Sequence, residues 1–237
     1  MTPMPDFSRR SREPEWMDGE DVSQADFADA MKDLATVNTL TLARRPTLAF
    51  VDAALRATRA DVVPTVLDVG FGDGDMLRAI AGLCARRGRK ARLIGIDLNP
   101  RSAPVASAKT PAGADIEYRT GDAFALDEPL DLVISSLVTH HMDDAEILRF
   151  LAWMEERTRL GWLVNDLHRH WLSYQGFRLL TSVMRWHRFV PHDGLISIAR
   201  SFRRSEWEQR LAATGLSGKA QVAWWFPFRY CVERHKW

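Results

Sequence analysis

The chain has 237 residues, 46% hydrophobic and 27% charged, and its 32 Lys/Arg against 31 Asp/Glu leave a formal charge of +1. This suits one large domain with a core that needs no structural metal, and no overall field singles out nucleic acid or an anionic membrane. Cys84 and Cys231 stand alone without a CxxC, and neither an apolar secretory region nor a run of about 18 apolar residues occurs, so a cytoplasmic protein with no membrane partner is expected.

Residues 1–20 are polar and proline-interrupted, and are expected to be a flexible N-terminal segment. Val22, Phe27, Ala30, Met31, Leu34 and Val37 recur at helical spacing up to a stop at Asn38. A second helix is predicted from Pro46 to Arg59, with Pro46 in its first turn. The pattern then changes to short apolar strands alternating with helices. Strands are predicted at Val66–Val69, Leu93–Ile96, Asp115–Arg119, Leu132–Leu137 and Trp162–Leu167. Helices are predicted at Asp73–Arg86 and at Asp143–Arg159, the latter with Asp143 as N-cap. A helix-rich stretch carrying Trp171, Tyr174, Phe177, Leu180 and Met184 leads to a turn at Pro191–Gly194. Ser205–Thr214 reads as a Ser-capped helix ending at Gly215, and Val222–Val232 is β-prone and aromatic. Continuous apolar strands alternating with helices imply an α/β, doubly wound parallel sheet covered on both faces. The organisation expected is a flexible segment 1–20, N-terminal helices at 21–60 and a ligand-binding domain at 61–237.

The most specific feature is Val66-Leu67-Asp68-Val69-Gly70-Phe71-Gly72-Asp73-Gly74-Asp75, a buried strand running into alternate glycines ahead of a helix. Such a turn lets a ligand lie against backbone. A dinucleotide fingerprint needs GxGxxG to seat a pyrophosphate, but Asp75 stands where its third glycine would be, and Asp73 and Asp75 rim the turn with negative charge. Phosphate is disfavoured, and a ligand carrying amino and sulfonium charges is favoured. Asp97 ends the second strand, where a carboxylate accepts from ribose hydroxyls. Leu98 beside it can cover an adenine face, and Asp122, in Gly121-Asp122-Ala123-Phe124 after the third strand, can accept from an exocyclic amine.

These three strand ends, with Asp131-Leu132-Val133-Ile134-Ser135-Ser136-Leu137, resemble the class I S-adenosylmethionine-dependent methyltransferases over about residues 45–237. The resemblance implies a Rossmann-like seven-stranded sheet with an antiparallel last strand and a C-terminal hairpin. It implies S-adenosyl-L-methionine as cofactor and S-adenosyl-L-homocysteine as product. By position, Gly70, Gly72 and Gly74 would line the methionine half with Asp68 nearby. Asp97 would hold the ribose, Leu98 and Ala123 would flank adenine, Asp122 would meet its amine, and Ser135, at the fourth strand's mouth, would also bind the cofactor. Within the fold, Ser135 to Met142, Glu15-Trp16-Met17-Asp18 and Asp33 to Asn38 are similar to a small-molecule branch acting on quinones and polyketide phenols, typical of secondary metabolism. The Asn/Asp-Pro-Pro-Tyr/Phe motif of nucleobase and protein amino-group methyltransferases is replaced by Ser135-Ser136-Leu137-Val138, which disfavours DNA, RNA and glutamine-amide acceptors.

Transfer from a sulfonium is an in-line displacement that gains most from positioning. A phenol, with a pKa near ~10, also gains from a base or an oxyanion partner. His140 and His141 leave the fourth strand at the ligand mouth, and His168, beyond the fifth, is a rival. Asp166 either orients a histidine or meets substrate. His192, in Pro191-His192-Asp193-Gly194, enters the site as a loop or belongs to an ordinary turn. No metal is expected, since His168-x-His170 is the nearest approach to a ligand motif. Trp171, Tyr174, Phe177 and Met184 offer a flat slot or core packing, and Trp16 and Met17 can close the cleft. Arg178, Arg185, Arg188 and Arg229 are open candidates for a substrate carboxylate.

The second half is basic: residues 157–237 carry 14 Lys/Arg against 5 Asp/Glu. That suits an anionic or aromatic ligand, and equally suits arginine stems covering apolar surface. The function expected is O-methylation of a phenolic, quinol or polyketide-derived hydroxyl by a monomer or homodimer, with no nucleic-acid partner. Ring C-methylation, RNA methylation and a non-catalytic scaffold are the alternatives.

Overall fold

In the computed structural model, residues 5–19 and 21–237 are described. Strands β1 (Thr65–Val69), β2 (Arg92–Asp97), β3 (Ile116–Thr120), β4 (Leu130–Ser136) and β5 (Thr158–Leu167) pair in parallel. They join β6 (Gln221–Trp225) and β7 (Arg229–His235) in a seven-stranded sheet of order β3-β2-β1-β4-β5-β7-β6. β7 is antiparallel to both its neighbours and forms the C-terminal hairpin with β6.

The central strands are apolar at successive positions because both faces are covered. Val66, Leu132, Ile134 and Leu163 turn to one side, against Phe50, Val51 and Leu55 of α2 (Arg45–Ala57) and Leu77 and Ile80 of α3 (Asp75–Arg87). Leu67, Val133, Trp162 and Val164 turn to the other, against Phe150 and Met154 of α5 (Asp144–Arg157) and Trp207 and Leu211 of α8 (Arg204–Ala213). The remaining helices are α1 (Gln24–Leu40), α4 (Ser102–Lys109), α6 (Trp171–Val183) and α7 (Phe189–Arg200). Asp143 caps α5 in a reciprocal box with Glu146, as its sequence position predicts.

Three expectations are corrected. Pro191–Gly194 is no turn but lies inside α7. Pro191 falls in the first turn, where no amide is missed. Gly194 is there for contact, since a Cβ would stand 2.3 Å from the Phe177 ring of α6. Helix α8 starts at Arg204, one residue before Ser205, because Glu206 accepts from the Arg203 amide at 2.7 Å and closes the turn. The N-terminal segment is extended but docked: Arg10 Nε donates to Arg200 O at 2.7 Å, Ser11 N to Ala199 O at 3.0 Å and Arg169 Nε to Phe7 O at 3.0 Å. Residues 1–4 and 20 of that segment lie outside the described residues. Helix α4, not foreseen, has no apolar stripe and carries Pro104 in its first turn.

Candidate active site

The chain leaves β1 toward β2 and β3 and returns to β4 on the other side, opening a crevice beyond the carboxyl ends of β1 and β4. Gly70 follows β1 with φ +74°, and a Cβ there would meet Val138 Cγ2 at 2.3 Å, so only glycine lets the two strand exits close together. Leu137, just past β4, holds φ 62°, a strained conformation for a branched residue at the site's edge.

The first half of the crevice is acidic and short of partners. Asp68 is fully buried, with neither carboxylate oxygen hydrogen-bonded. Burial, then the charges of Asp75 and Asp97, raise its pKa well above the usual range. Asp75 also has a buried oxygen without a partner. Asp97 Oδ2 accepts from Gly72 N at 2.9 Å and Oδ1 from Asn99 N at 2.8 Å, which fixes the carboxylate at the strand end. Asp73 is different: Lys109 Nζ at 2.8 Å and Arg78 at 3.4 Å neutralise it, so the acidic rim is Asp68, Asp75 and Asp97. An orphaned carboxylate under a glycine turn fits a ligand bearing an ammonium and a sulfonium, and opposes a phosphate. Asp68, Gly70 and Gly72 line the cavity, and Gly74 caps α3. Leu98 is 75% exposed beside Asp97, where a flat ring can lie on it. Asp122 accepts from Phe124 N at 3.0 Å with its other oxygen unengaged by that bond, and Ala123 is buried in the core. Ser135 is placed differently from the expectation: it is buried, and its hydroxyl donates to Val69 O at 3.1 Å, tying β4 to β1 rather than facing the cavity.

The cavity continues from this turn to the histidines, enclosing about 390 Å³. Met17, Met31, Leu34, Leu172, Phe177, Leu180 and Phe228 form an apolar wall, and His140, His141 and Glu15 the polar end. His140 is buried, with Nδ1 2.8 Å from Asp166 Oδ1 and Nε2 3.6 Å from Glu15 Oε1. Asp166 also accepts from the His140 amide at 2.9 Å, the Leu167 amide at 2.8 Å and the Thr139 hydroxyl. Burial opposes charging the imidazole, but the charge and hydrogen bond of Asp166, with Glu15 behind them, raise its pKa to about 9. Burial likewise opposes the carboxylates, yet His140 draws Asp166 down to about 2, and His140, His141 and Ser197 draw Glu15 to about 2. His140 is thus an imidazolium clamped between two carboxylates. His141 is a third exposed, with Nε2 3.7 Å from Glu15 and Nδ1 3.2 Å from Asp18.

The N-terminal strap closes this end. Asp193 accepts from the Trp16 and Met17 amides at 2.8 and 3.0 Å, and Ser197 donates to Glu15 at 2.8 Å. Glu15, His140 and His141 are the one described group whose ligand atoms converge, within 4.8 Å of one another. Arg200, 3.5 Å from the same Glu15 oxygen, supplies positive charge there and opposes a metal cation.

Several predicted site residues lie outside the cavity lining. His168 sits against His170, Phe228 and Tyr230, and burial first, then neighbouring positive groups, lower its pKa to about 4. Trp171 is half-exposed, and Tyr174 packs edge-on against Phe7, because the cavity side of α6 is Leu172, Ser173, Gly176, Phe177 and Leu180. Trp16 stacks on His192 at 3.5 Å, so both brace the strap from outside, leaving Met17 as the strap residue facing inward. Asp166 stands behind His140 and orients it. Sequence reasoning did not single out Ser197 or Asn165 as site residues, and it marked Asp193 and Glu15 only as members of the Pro191–Gly194 and Glu15–Asp18 runs. Glu15 stands next to Trp16, but nothing local signals that residues nearly 180 positions apart meet.

Residues 66–161 match the family model described as "Methyltransferase domain". No curated protein sequence gives a match. Magnesium protoporphyrin IX methyltransferase (ChlM) from Synechocystis, solved with bound S-adenosylhomocysteine, is similar at 16% identity over 83% of this chain and 84% of that one, TM-score 0.56. The plantazolicin methyltransferase BpumL, in complex with a triazolic desmethylPZN analogue and S-adenosylhomocysteine, is similar at 14% identity over 90% and 97%, TM-score 0.62. Human N-acetylserotonin methyltransferase in complex with S-adenosylmethionine shares 18% identity over 90% of this chain and 56% of that chain, TM-score 0.58. At these identities the likeness is one of fold.

Proposed function

We propose, from the premise that the chain is an S-adenosylmethionine-dependent methyltransferase of class I fold acting on small molecules, that its acceptor is an aromatic hydroxyl seated against the His140–His141 end of the cavity. The observation that carries this is the continuity of the cavity from the Asp68–Gly72 turn to the histidines along an apolar wall. Its volume, about 390 Å³, is in the range of small-ligand sites. When bound, the cofactor supplies an electrophilic methyl carbon; Asp68 and Asp75 would face its positive groups, and Asp97 its ribose. No helix of the described residues is long and apolar enough to cross a membrane. The strap and α1 serve as a cover that excludes water during transfer.

His140 reaches the reaction already charged. An imidazolium at the acceptor's oxygen favours the phenolate over the phenol, so it acts as the oxyanion partner. The proton leaves through His141, the more exposed histidine of the same wall. Asp166 and Glu15 keep the imidazolium charged. The names of two solved neighbours, for magnesium protoporphyrin IX and N-acetylserotonin, fit a small-molecule acceptor.

The test is release of S-adenosylhomocysteine with a panel of phenols, quinols and hydroxylated polyketide-type rings, with the product's methyl located by NMR. Turnover with an O-methyl product, a fall in kcat/KM above about pH 9, and loss of that limb in His140→Gln are expected. A methyl on ring carbon, or a limb unchanged in His140→Gln, overturns the proposal.

A further inference from the structure

Of the four arginines left open by the sequence, Arg178, Arg185 and Arg188 are exposed, whereas Arg229 is 2% exposed and lines the cavity. It opens β7, paired with Leu167 at the end of β5. Two other deep arginines make ion pairs, although Arg200 Nη1, like Arg229 Nε, has no hydrogen bond. Arg169, equally buried, meets Glu206 at 2.7 Å and two backbone carbonyls, and Arg200 meets Glu15 at 3.5 Å. Arg229 has a single long hydrogen bond, Nη1 to Asn165 Oδ1 at 3.4 Å, and its Nε has none. No carboxylate among the described residues forms an ion pair with it. Asn165 is itself fixed, its amide donating to Ala43 O at 2.8 Å and Thr47 Oγ1 at 3.1 Å, so its oxygen is held toward the guanidinium.

A buried charge with no counter-ion at hydrogen-bond distance is unfavourable, and a ligand carboxylate in the cavity would relieve that cost. A guanidinium matches a carboxylate in a planar, two-pronged pair. Arg229 lies three strand steps from β1, roughly 14 Å across the sheet, in the same cavity as the glycine turn, and Asp166 and Asp75 favour its charge from beyond ion-pair distance. Phe228 and Leu167 flank it in the cavity wall. We propose that Arg229 binds a carboxylate carried by the acceptor, making the substrate an aromatic hydroxy acid rather than a neutral phenol. This rests on the methyltransferase reading above and narrows its substrate class.

The experiment uses the full chain saturated with S-adenosylhomocysteine. Binding of 2-, 3- and 4-hydroxybenzoate is measured by calorimetry against the matched hydroxybenzamides, in wild type, Arg229→Gln and Arg229→Lys. At least one hydroxybenzoate is expected to bind ten-fold or more tightly than its amide. Arg229→Gln abolishes the preference and Arg229→Lys keeps part of it, with S-adenosylhomocysteine affinity unchanged in both. Equal binding of acid and amide in wild type overturns the proposal while leaving the methyltransferase reading intact. So does a loss in Arg229→Gln that falls on S-adenosylhomocysteine instead. Failure of wild type to bind S-adenosylhomocysteine at all would overturn the underlying reading. A lowered melting temperature in Arg229→Gln is controlled by Arg229→Lys, which retains the charge.

Discussion

The two ends of the cavity are built on opposite electrostatic principles. At the glycine turn, Asp68 and Asp75 keep buried oxygens without partners, and like charges crowd Asp68, Asp75 and Asp97 together. At the histidine end, Glu15, His140, Asp166 and Arg200 neutralise one another in a closed network. The first arrangement is unfavourable until a cation arrives. The second is complete without a ligand and holds its geometry in advance. On the proposed reading, the first end would bind cofactor by relief of repulsion and the second would position the acceptor by rigidity.

Removing charge should therefore have opposite consequences at the two ends. Asp166→Asn leaves the buried imidazolium without its main partner and should lower stability by about 3–5 kcal/mol. In thermal unfolding that is roughly 6–20 °C for a chain of this size. A smaller loss, with an unchanged His140 titration by NMR, would break the contrast. Alkaline unfolding probes the same end. His140 titrates higher folded, at about 9, than its ordinary 6.5, so its contribution is complete below pH 6.5 and lost as pH rises through about 9. The shift corresponds to about 3 kcal/mol, and the fall in melting temperature between pH 7 and 10 should be visibly shallower in His140→Gln. Gly194→Ala presses a methyl into Phe177, costing about 1–3 kcal/mol and raising the acceptor's KM while cofactor affinity stays unchanged. Asp68→Asn, at the other end, has the smallest expected effect and the opposite sign. It should stabilise the ligand-free protein by about 1 kcal/mol, while weakening S-adenosylhomocysteine binding about ten-fold, read by calorimetry on the same samples.

The same contrast explains what the sequence reveals. The proposed cofactor half is legible because Asp68 to Asp75 is one contiguous run and Asp97 and Asp122 mark consecutive strand ends. Strand and helix periodicity then supplies most of the sheet. The acceptor half is assembled from residues 15–17, 140–141, 166, 193–200 and 229, and only tertiary packing brings them together. His140 is recognisable from its strand end, but its charge depends first on Asp166, 26 positions away, and then on Glu15, 125 positions away. Periodicity could not tell which side of α6 faces the cavity, so of Trp171, Tyr174, Phe177 and Met184 only Phe177 lines it, beside Leu172 and Leu180. Pro191 and Gly194 read as a turn because their composition is that of a turn, whereas helix position and a neighbouring ring explain them here. In the basic second half, Arg169, Arg200, Arg210 and Arg229 are turned inward or bonded within the fold, whereas Arg159, Arg178, Arg185, Arg188, Arg203, Arg204 and Lys219 are exposed.

The most direct measurement is thermal stabilisation of the purified protein by S-adenosylhomocysteine, with Asp97→Ala as the paired control. The melting temperature of wild type should climb with ligand concentration, and the climb should be lost in the variant. A folded wild-type protein whose melting temperature does not move at saturating ligand would contradict the assignment of the crevice beyond β1 and β2 as the cofactor site.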